Sequence, residues 1–292
     1  MRVRSLSRLA VAGPLALWMV ACAGPGSEAP GQNEAPVVPP MVLDGQEKSI
    51  VLVGYSTSYA WPTMLQEMLD EHQGGRRVHI LNAVIGGSPV GRWISAADTE
   101  DYQATYALME RDFFGSDARL RGDAPAPTIA MLQQSLQRTP TPQTRLGPVT
   151  SADDADGIRI GADALETLVN QLRADGLEHV FIAMHIYKEG YEPEVGNERL
   201  ALDALLRRER PYIHQGPDVW SATIREHPKA FTEDRLHPNE RGGKIIAEAW
   251  YRTLAGDAAR QDIVDAMHAR AYDVDGLMNA YLAWRRGSDA TQ

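Results

Sequence analysis

Two short stretches, far apart in the chain, carry the side chains best suited to chemistry. Gly54-Tyr55-Ser56-Thr57-Ser58 closes an apolar run, and Asp234-Arg235-Leu236-His237-Pro238-Asn239 precedes the last strongly periodic segment. A serine hydroxyl is a weak nucleophile until a base takes its proton. An imidazole can take it near neutral pH, and a carboxylate can hold that ring in the correct tautomer. Asp three residues before His suits the second task, leaving the other ring nitrogen of His237 for Ser56. Together the three supply the parts for attack on a carbonyl carbon. Each stretch alone also has a structural reading, as a Ser/Thr-rich turn and as a loop histidine. Pro238 pushes His237 into an extended conformation and opens a helix.

The flanking pattern supplies the elements to position these groups. Ser49 to Gly54 is a buried-type strand, and Ser56 follows it directly. Trp61, Leu65, Met68 and Leu69 then recur at helical spacing, with Pro62 in the first turn. Further strands are expected at Val78 to Asn82, Thr128 to Leu132, His179 to His185 and Pro211 to His214. Helices are expected at 102–112, around Leu165 to Leu172 with a stop at Gly176, at Asn197 to Arg208, at Glu240 to Leu254, and twice within 257–285. Apolar strands alternating with helices predict a parallel sheet covered on both faces. In such a sheet ligands bind at the carboxyl ends of the strands, where Ser56 sits. His185, Tyr187 and the stretch His214 to Asp218 are candidates for pocket walls, although structural roles are commoner for such residues. Asp153, Asp154 and Asp156 read as a solvated loop rather than a calcium site. The eight histidines have no metal-ligand spacing, and no glycine loop cradles a phosphate, so neither metal nor cofactor is expected.

The N-terminus reads as a targeting segment. Arg2, Arg4 and Arg8 precede a short apolar run that is too brief to span a bilayer. It leads to Met19-Val20-Ala21-Cys22, which resembles a bacterial lipoprotein signal, with Met19 where leucine is usual. The resemblance implies cleavage after residue 21 and lipid chains such as palmitate on Cys22, the only cysteine. It implies a cell-envelope protein, on the outer membrane if the cell is Gram-negative. Residues 22–48 are rich in Pro, Gly, Glu and Ala and read as a tether. A main domain is expected over 49–256 and a helical extension over 257–292. The formal charge is −10, and −13 without the three signal arginines. That acidity argues against nucleic acid and anionic membrane surfaces as partners, leaving membrane attachment to the lipid anchor alone.

The blocks, taken in order, resemble the SGNH hydrolases, also called GDSL-like lipases and esterases, over about residues 49–255. The first block is Val53 to Ser58 with Trp61-Pro62, the second is Leu81 to Ser88, and the last is Asp234 to Asn239 with Gly242-Gly243. The resemblance implies a flavodoxin-like three-layer α/β/α sandwich with about five parallel strands. It implies Ser56 as nucleophile, His237 as base and Asp234 as its orienter. The oxyanion donors it implies are the Ser56 N–H and Gly87, with Gly86 the neighbouring candidate. Two departures stand out. Tyr55 replaces the acid usual before the serine, and no Gly-x-Asn-Asp follows the third strand. Gln134 or Gln133 stands where that asparagine amide is expected, and a glutamine amide is the same donor one carbon longer. The expected activity is a serine esterase acting on small-molecule or carbohydrate esters, O-acetyl groups among them. An O-acyltransferase and a non-catalytic binding lipoprotein on the same fold are the alternatives.

Overall fold

The computed structural model describes residue 39 and residues 41–94, 105–134, 153–189 and 194–287, the side chains of 194–197 and 287 excepted. The signal segment, Cys22, most of the tether and the loop 139–152 lie outside the described residues.

Five strands form one parallel sheet in the order β2-β1-β3-β4-β5. They are β1 (Lys48–Gly54), β2 (Val78–Asn82), β3 (Pro127–Gln133), β4 (His179–Met184) and β5 (Ile213–Asp218). The helices are α1 (Trp61–Gln73), α2 (Val90–Trp93), α3 (Thr105–Phe113), α4 (Ala155–Ala174), α5 (Glu194–Leu206), α6 (Val219–Ile224), α7 (Glu240–Ala255), α8 (Gln261–Ala269) and α9 (Val274–Gly287). The fold is a three-layer α/β/α sandwich of the flavodoxin-like kind.

Side-chain alternation in β1 builds both cores at once. Ile50 and Leu52 face α1, α7 and α8, where they meet Trp61, Met64, Ile246 and Trp250. Val51 and Val53 face the other way, toward Trp93, Phe113, Leu165 and Leu168. That is why β1 reads as an unbroken apolar run: neither face is left to water. Each such side chain contributes roughly 1.5–3 kcal/mol by burial. Trp61 and Trp250 stack with ring centroids 6.4 Å apart, joining α1 to α7.

Three elements differ from expectation. β5 lies at Ile213–Asp218 rather than Pro211 to His214 and runs through Gly216-Pro217. It is an edge strand, so Pro217 leaves no inner ladder bond unmade. Gly216 lies so close to β4 that a Cβ there would sit 2.7 Å from the Ala183 nitrogen. Helices α2 and α6 have no counterpart among the expected elements. The start of α6 is capped by Asp218, whose Oδ1 accepts from the Ser221 N–H at 3.0 Å.

The C-terminal helices are tied down by charge. Lys244 on α7 donates to the carbonyls of His268 and Arg270 at 3.1 and 2.5 Å, satisfying the end of α8. Asp112, fully buried at the end of α3, accepts from Arg111, Arg119 and Arg285 at 3.0, 3.0 and 2.7 Å. The last of these anchors α9.

Candidate active site

The chain reverses direction across the sheet between β1 and β3, and the residues expected to do chemistry gather at the carboxyl ends of those strands. β1 ends at Gly54, where a Cβ would come within 2.9 Å of the Val84 side chain. The chain then makes one tight turn over Ser56–Ser58, with the Ser58 N–H donating to the Tyr55 carbonyl at 2.8 Å. This turn separates the two serines. Ser58 points into the protein and is fully buried, while Ser56 stays partly exposed.

The second half of the site is the loop 229–239. Asn239 braces it, with its side-chain amide donating to the Lys229 and Phe231 carbonyls at 2.9 Å each and its oxygen accepting from the Gly242 N–H at 3.2 Å. That last bond caps α7. Within the loop, Asp234 Oδ1 accepts from Thr232 Oγ1 at 2.6 Å and from the Leu236 and His237 N–H groups at 2.8 and 2.9 Å. Its Oδ2 meets His237 Nδ1 at 2.6 Å. Burial alone would raise this carboxyl, but hydrogen bonds from His237, Thr232 and the two backbone amides outweigh it. Asp234 is held well below the usual carboxylate range. An ionised Asp234 fixes the proton of His237 on Nδ1. Nε2 then faces Ser56 Oγ at 2.9 Å as an acceptor.

Arg235 takes a left-handed backbone conformation, with φ 56°. A non-glycine residue there costs about 1–2 kcal/mol. Its guanidinium reaches across to Glu189 beyond β4, with both oxygens at 2.9 Å, and holds the loop in that shape.

The oxyanion candidates fall differently. Gly86 lies against Ser56: a Cβ built on it would collide with the Tyr59 hydroxyl and sit 3.9 Å from Ser56 Cβ. Gly87 follows it with φ 65°, and its carbonyl accepts from Arg92 at 2.7 Å. The two glutamines are committed inside the fold. Gln133 Oε1 accepts from the Trp250 indole N–H at 2.8 Å, and its nitrogen faces the Met184 carbonyl at 3.5 Å. The Gln134 amide, oriented to suit its neighbours, donates to the Ser88 carbonyl at 2.9 Å and accepts from the Trp93 N–H at 2.9 Å and the Gly54 N–H at 3.3 Å. Both are buried. Their placement suits support, Gln133 tying β3 to α7 and the end of β4 and Gln134 tying the end of β1 to Ser88 and Trp93, rather than donation to a ligand.

Other candidates settle into structural places. His185 is buried and pairs with Glu198 at 3.1 Å. Tyr187 packs in a cluster with Trp220, His227 and Phe231. His214 lies at the opposite end of the sheet against His179, with ring nitrogens 3.0 Å apart. Asp218 caps α6, and Asp154 caps α4 through the Gly157 N–H at 2.8 Å. Among the described residues no group of three or more His, Cys, Asp or Glu converges as a metal site would.

Three contributors escape sequence reasoning. Thr232 supports Asp234, Glu189 holds Arg235, and Lys188 lies buried with its ammonium 4.7 Å from the centre of the Tyr55 ring. Burial pulls the Lys188 amine down to about 8, partly offset by the Glu198 carboxylate. Tyr55, standing where the resemblance calls for an acid, thus packs against a cation. Only Thr232 has a local signal, a hydroxyl two residues before the aspartate.

No family model and no curated sequence matches the chain. Solved structures do match in fold. The tail fibre protein gp63.1 of an E. coli phage aligns over 74% of this chain with a TM-score of 0.52 and 14% identity. This chain spans only 27% of that fibre protein. A psychrotrophic esterase, EstA of Pseudoalteromonas sp., aligns over 71% of this chain and 97% of its own at TM-score 0.46 and 16% identity. An acetyl esterase crystallised with acetate aligns over 75% of this chain and 99% of its own at TM-score 0.47 and 12% identity. At such identities the likeness concerns the fold alone.

Proposed function

We propose that this chain is a carboxylic ester hydrolase of the SGNH kind, with Ser56, His237 and Asp234 as its catalytic triad. One observation carries the reading. Ser56 Oγ, His237 Nε2 and Nδ1, and Asp234 Oδ2 form an unbroken run of 2.9 and 2.6 Å contacts between residues 181 positions apart, at the carboxyl end of a parallel sheet. A structural role asks for no such run.

In this reading Ser56 Oγ attacks the ester carbonyl carbon while its proton passes to His237 Nε2. Asp234 stabilises the imidazolium through Nδ1–H. The carbonyl oxygen, now negative, is met by the Ser56 N–H and by the Gly86–Gly87 backbone. Collapse expels the alcohol, which takes the proton from Nε2 and leaves an acyl group on Ser56. Water, deprotonated by His237, attacks that acyl carbon, and Ser56 leaves with the proton returned. The substrates proposed are small or carbohydrate-borne esters. Passing the acyl group to a sugar hydroxyl instead would make the protein a transferase.

The test is labelling by a fluorophosphonate, together with turnover of p-nitrophenyl esters. Wild type should label and hydrolyse, and Ser56→Ala should do neither, losing about 10⁶-fold in kcat. Ser58→Ala should keep most activity, since that side chain is buried away from His237. Equal turnover by wild type and Ser56→Ala would end the hydrolase reading. A second reading, a non-catalytic binding module, is favoured by the commitment of both glutamine amides inside the fold. An unlabelled, inactive wild type would support it.

We also propose lipid attachment at Cys22 and residence in the cell envelope. Support comes from the sequence pattern at Met19 to Cys22. Cys22→Ser should release the protein into the soluble envelope fraction, and a mature wild-type chain without lipid would refute the assignment.

A further inference from the structure

Helix α9 has no part in the triad, yet it builds a groove beside it. It lies along the outer side of β2, anchored where Tyr281 Oη donates to the Val84 carbonyl at 2.6 Å. A row of rings follows: Tyr59 to Tyr281 at 5.4 Å, Tyr281 to Trp284 at 5.8 Å and Trp284 to Phe113 at 6.3 Å between centroids. These rings, with Pro62 and Leu277, line a cavity of about 410 Å³. That volume is within the roughly 300–1,000 Å³ of pockets that hold small ligands. Trp284, at 42% exposure, is one of the few large apolar side chains left open to solvent among the described residues.

The groove touches the site already described. Tyr59 is one of its walls, and the Tyr59 hydroxyl and the Ser56 side chain flank the same glycine, Gly86. The chemistry of the lining discriminates between occupants. Three of its polar side chains are already engaged within the protein. Gln66 donates to Asp70 and to the Val78 carbonyl at 2.7 Å each and accepts from the Ile80 N–H at 2.8 Å. Arg76 is paired with Asp70. The Asn82 oxygen accepts from the Val84 N–H at 3.2 Å, and its nitrogen faces the Ser58 carbonyl at 3.4 Å. A sugar ring buried here would find few partners for its hydroxyls, which is costly. A hydrocarbon chain needs none.

We infer that this groove takes the acyl chain of the ester, an apolar chain longer than acetyl, running from Ser56 past Tyr59 toward Trp284. The inference rests on the reading of Ser56 as nucleophile. The alcohol part, sugar or otherwise, lies outside the groove.

The experiment measures kcat/KM on the full chain for p-nitrophenyl esters from acetate to decanoate. Each methylene that enters the groove should raise kcat/KM about four-fold. Ala280→Phe puts a ring into the groove from the exposed face of α9. It should flatten that rise and leave acetate turnover unchanged. A flat wild-type profile, or a rise that Ala280→Phe does not touch, overturns the groove assignment while leaving the hydrolase standing. A second readout needs no turnover. 10-Bromodecanoate should quench tryptophan fluorescence in wild type and much less in Trp284→Phe. If no ester is turned over but this quenching occurs, the reading of Ser56 fails and the groove stands as an apolar-chain site. If quenching too is absent, the groove assignment fails.

Discussion

Gln133 offers a test that separates support of the fold from catalysis. Its Oε1 accepts from the Trp250 indole N–H at 2.8 Å, and both residues are almost wholly buried. Gln133→Leu keeps most of the side-chain volume and removes the acceptor. The indole N–H is then stranded without water, at a cost of about 1–3 kcal/mol. For a domain of this size that corresponds to a Tm lower by roughly 2–4 °C per kcal/mol. The assay is urea unfolding followed by circular dichroism on wild type, Gln133→Leu, Trp250→Phe and the double variant. Trp250→Phe loses volume and its stack with Trp61, but it has no N–H to strand. The double variant should therefore be more stable than the two single losses add up to, with a coupling of about 1 kcal/mol or more. In parallel, kcat of the folded Gln133→Leu protein should stay within a few-fold of wild type. Additive losses would refute the hydrogen-bond account. A fall in kcat of roughly 100-fold with stability intact would instead return Gln133 to the role of oxyanion donor.

Asp234→Asn should leave the loop largely in place but present the wrong tautomer of His237 to Ser56, lowering kcat roughly 10⁴-fold with little change in KM; an unchanged kcat would remove Asp234 from the mechanism. Asp112→Ala should leave three guanidiniums around a buried gap and cost about 3–5 kcal/mol, seen as an earlier urea midpoint and early proteolysis of α9; a midpoint equal to wild type would contradict the burial argument. Burial, with His179 beside it, pushes the His214 imidazole down to about 4. Between that value and the ordinary 6.5 the unfolded chain binds the extra proton, so stability should fall as pH drops from about 6.5 toward 4. His214→Gln should lose less stability than wild type between about pH 7 and 4.5, and equal losses would sink the assignment.

The features legible in sequence are those set by local pattern. Ser49 to Gly54 announces a strand buried on both faces, and the 3.6-residue stripe at Trp61 to Leu69 announces α1. Asp234, His237 and Ser56 stand out by type and spacing, though their mutual distances follow from the order of strands, which no local pattern fixes. Hydrogen-bond direction is not legible. Gln133 and Gln134 are visible as amides at a strand end, but the partners that claim them, Trp250 for one and Ser88 and Trp93 for the other, lie on separate elements. Neighbouring glycines have no side chain to tell them apart, so spacing alone does not choose between Gly86 and Gly87. The fifth strand is expected at Pro211 to His214 and found at Ile213–Asp218, because a sheet edge tolerates Gly216-Pro217. The contacts of Arg235 with Glu189 and of Lys188 with Tyr55 join loops from different strands and leave no trace in spacing.

The two halves of the proposed triad are unequal in how they are held. Asp234 and His237 share one loop, riveted by Thr232 and Asn239 to the start of α7, so they travel as a single body. Ser56 belongs to the end of β1. One 2.9 Å hydrogen bond joins the reacting groups directly, while beneath them α7 packs on β1 and α1 through Ile246 and Trp250. A small shift of the 229–239 loop leaves Asp234 and His237 aligned with each other and breaks that joint, with the core beneath it undisturbed. Local openings of this kind need less free energy than global unfolding. If the proposed triad is catalytic, activity should therefore be the first property that gentle warming removes, while helix and sheet content are still intact, and it should return with the joint on cooling.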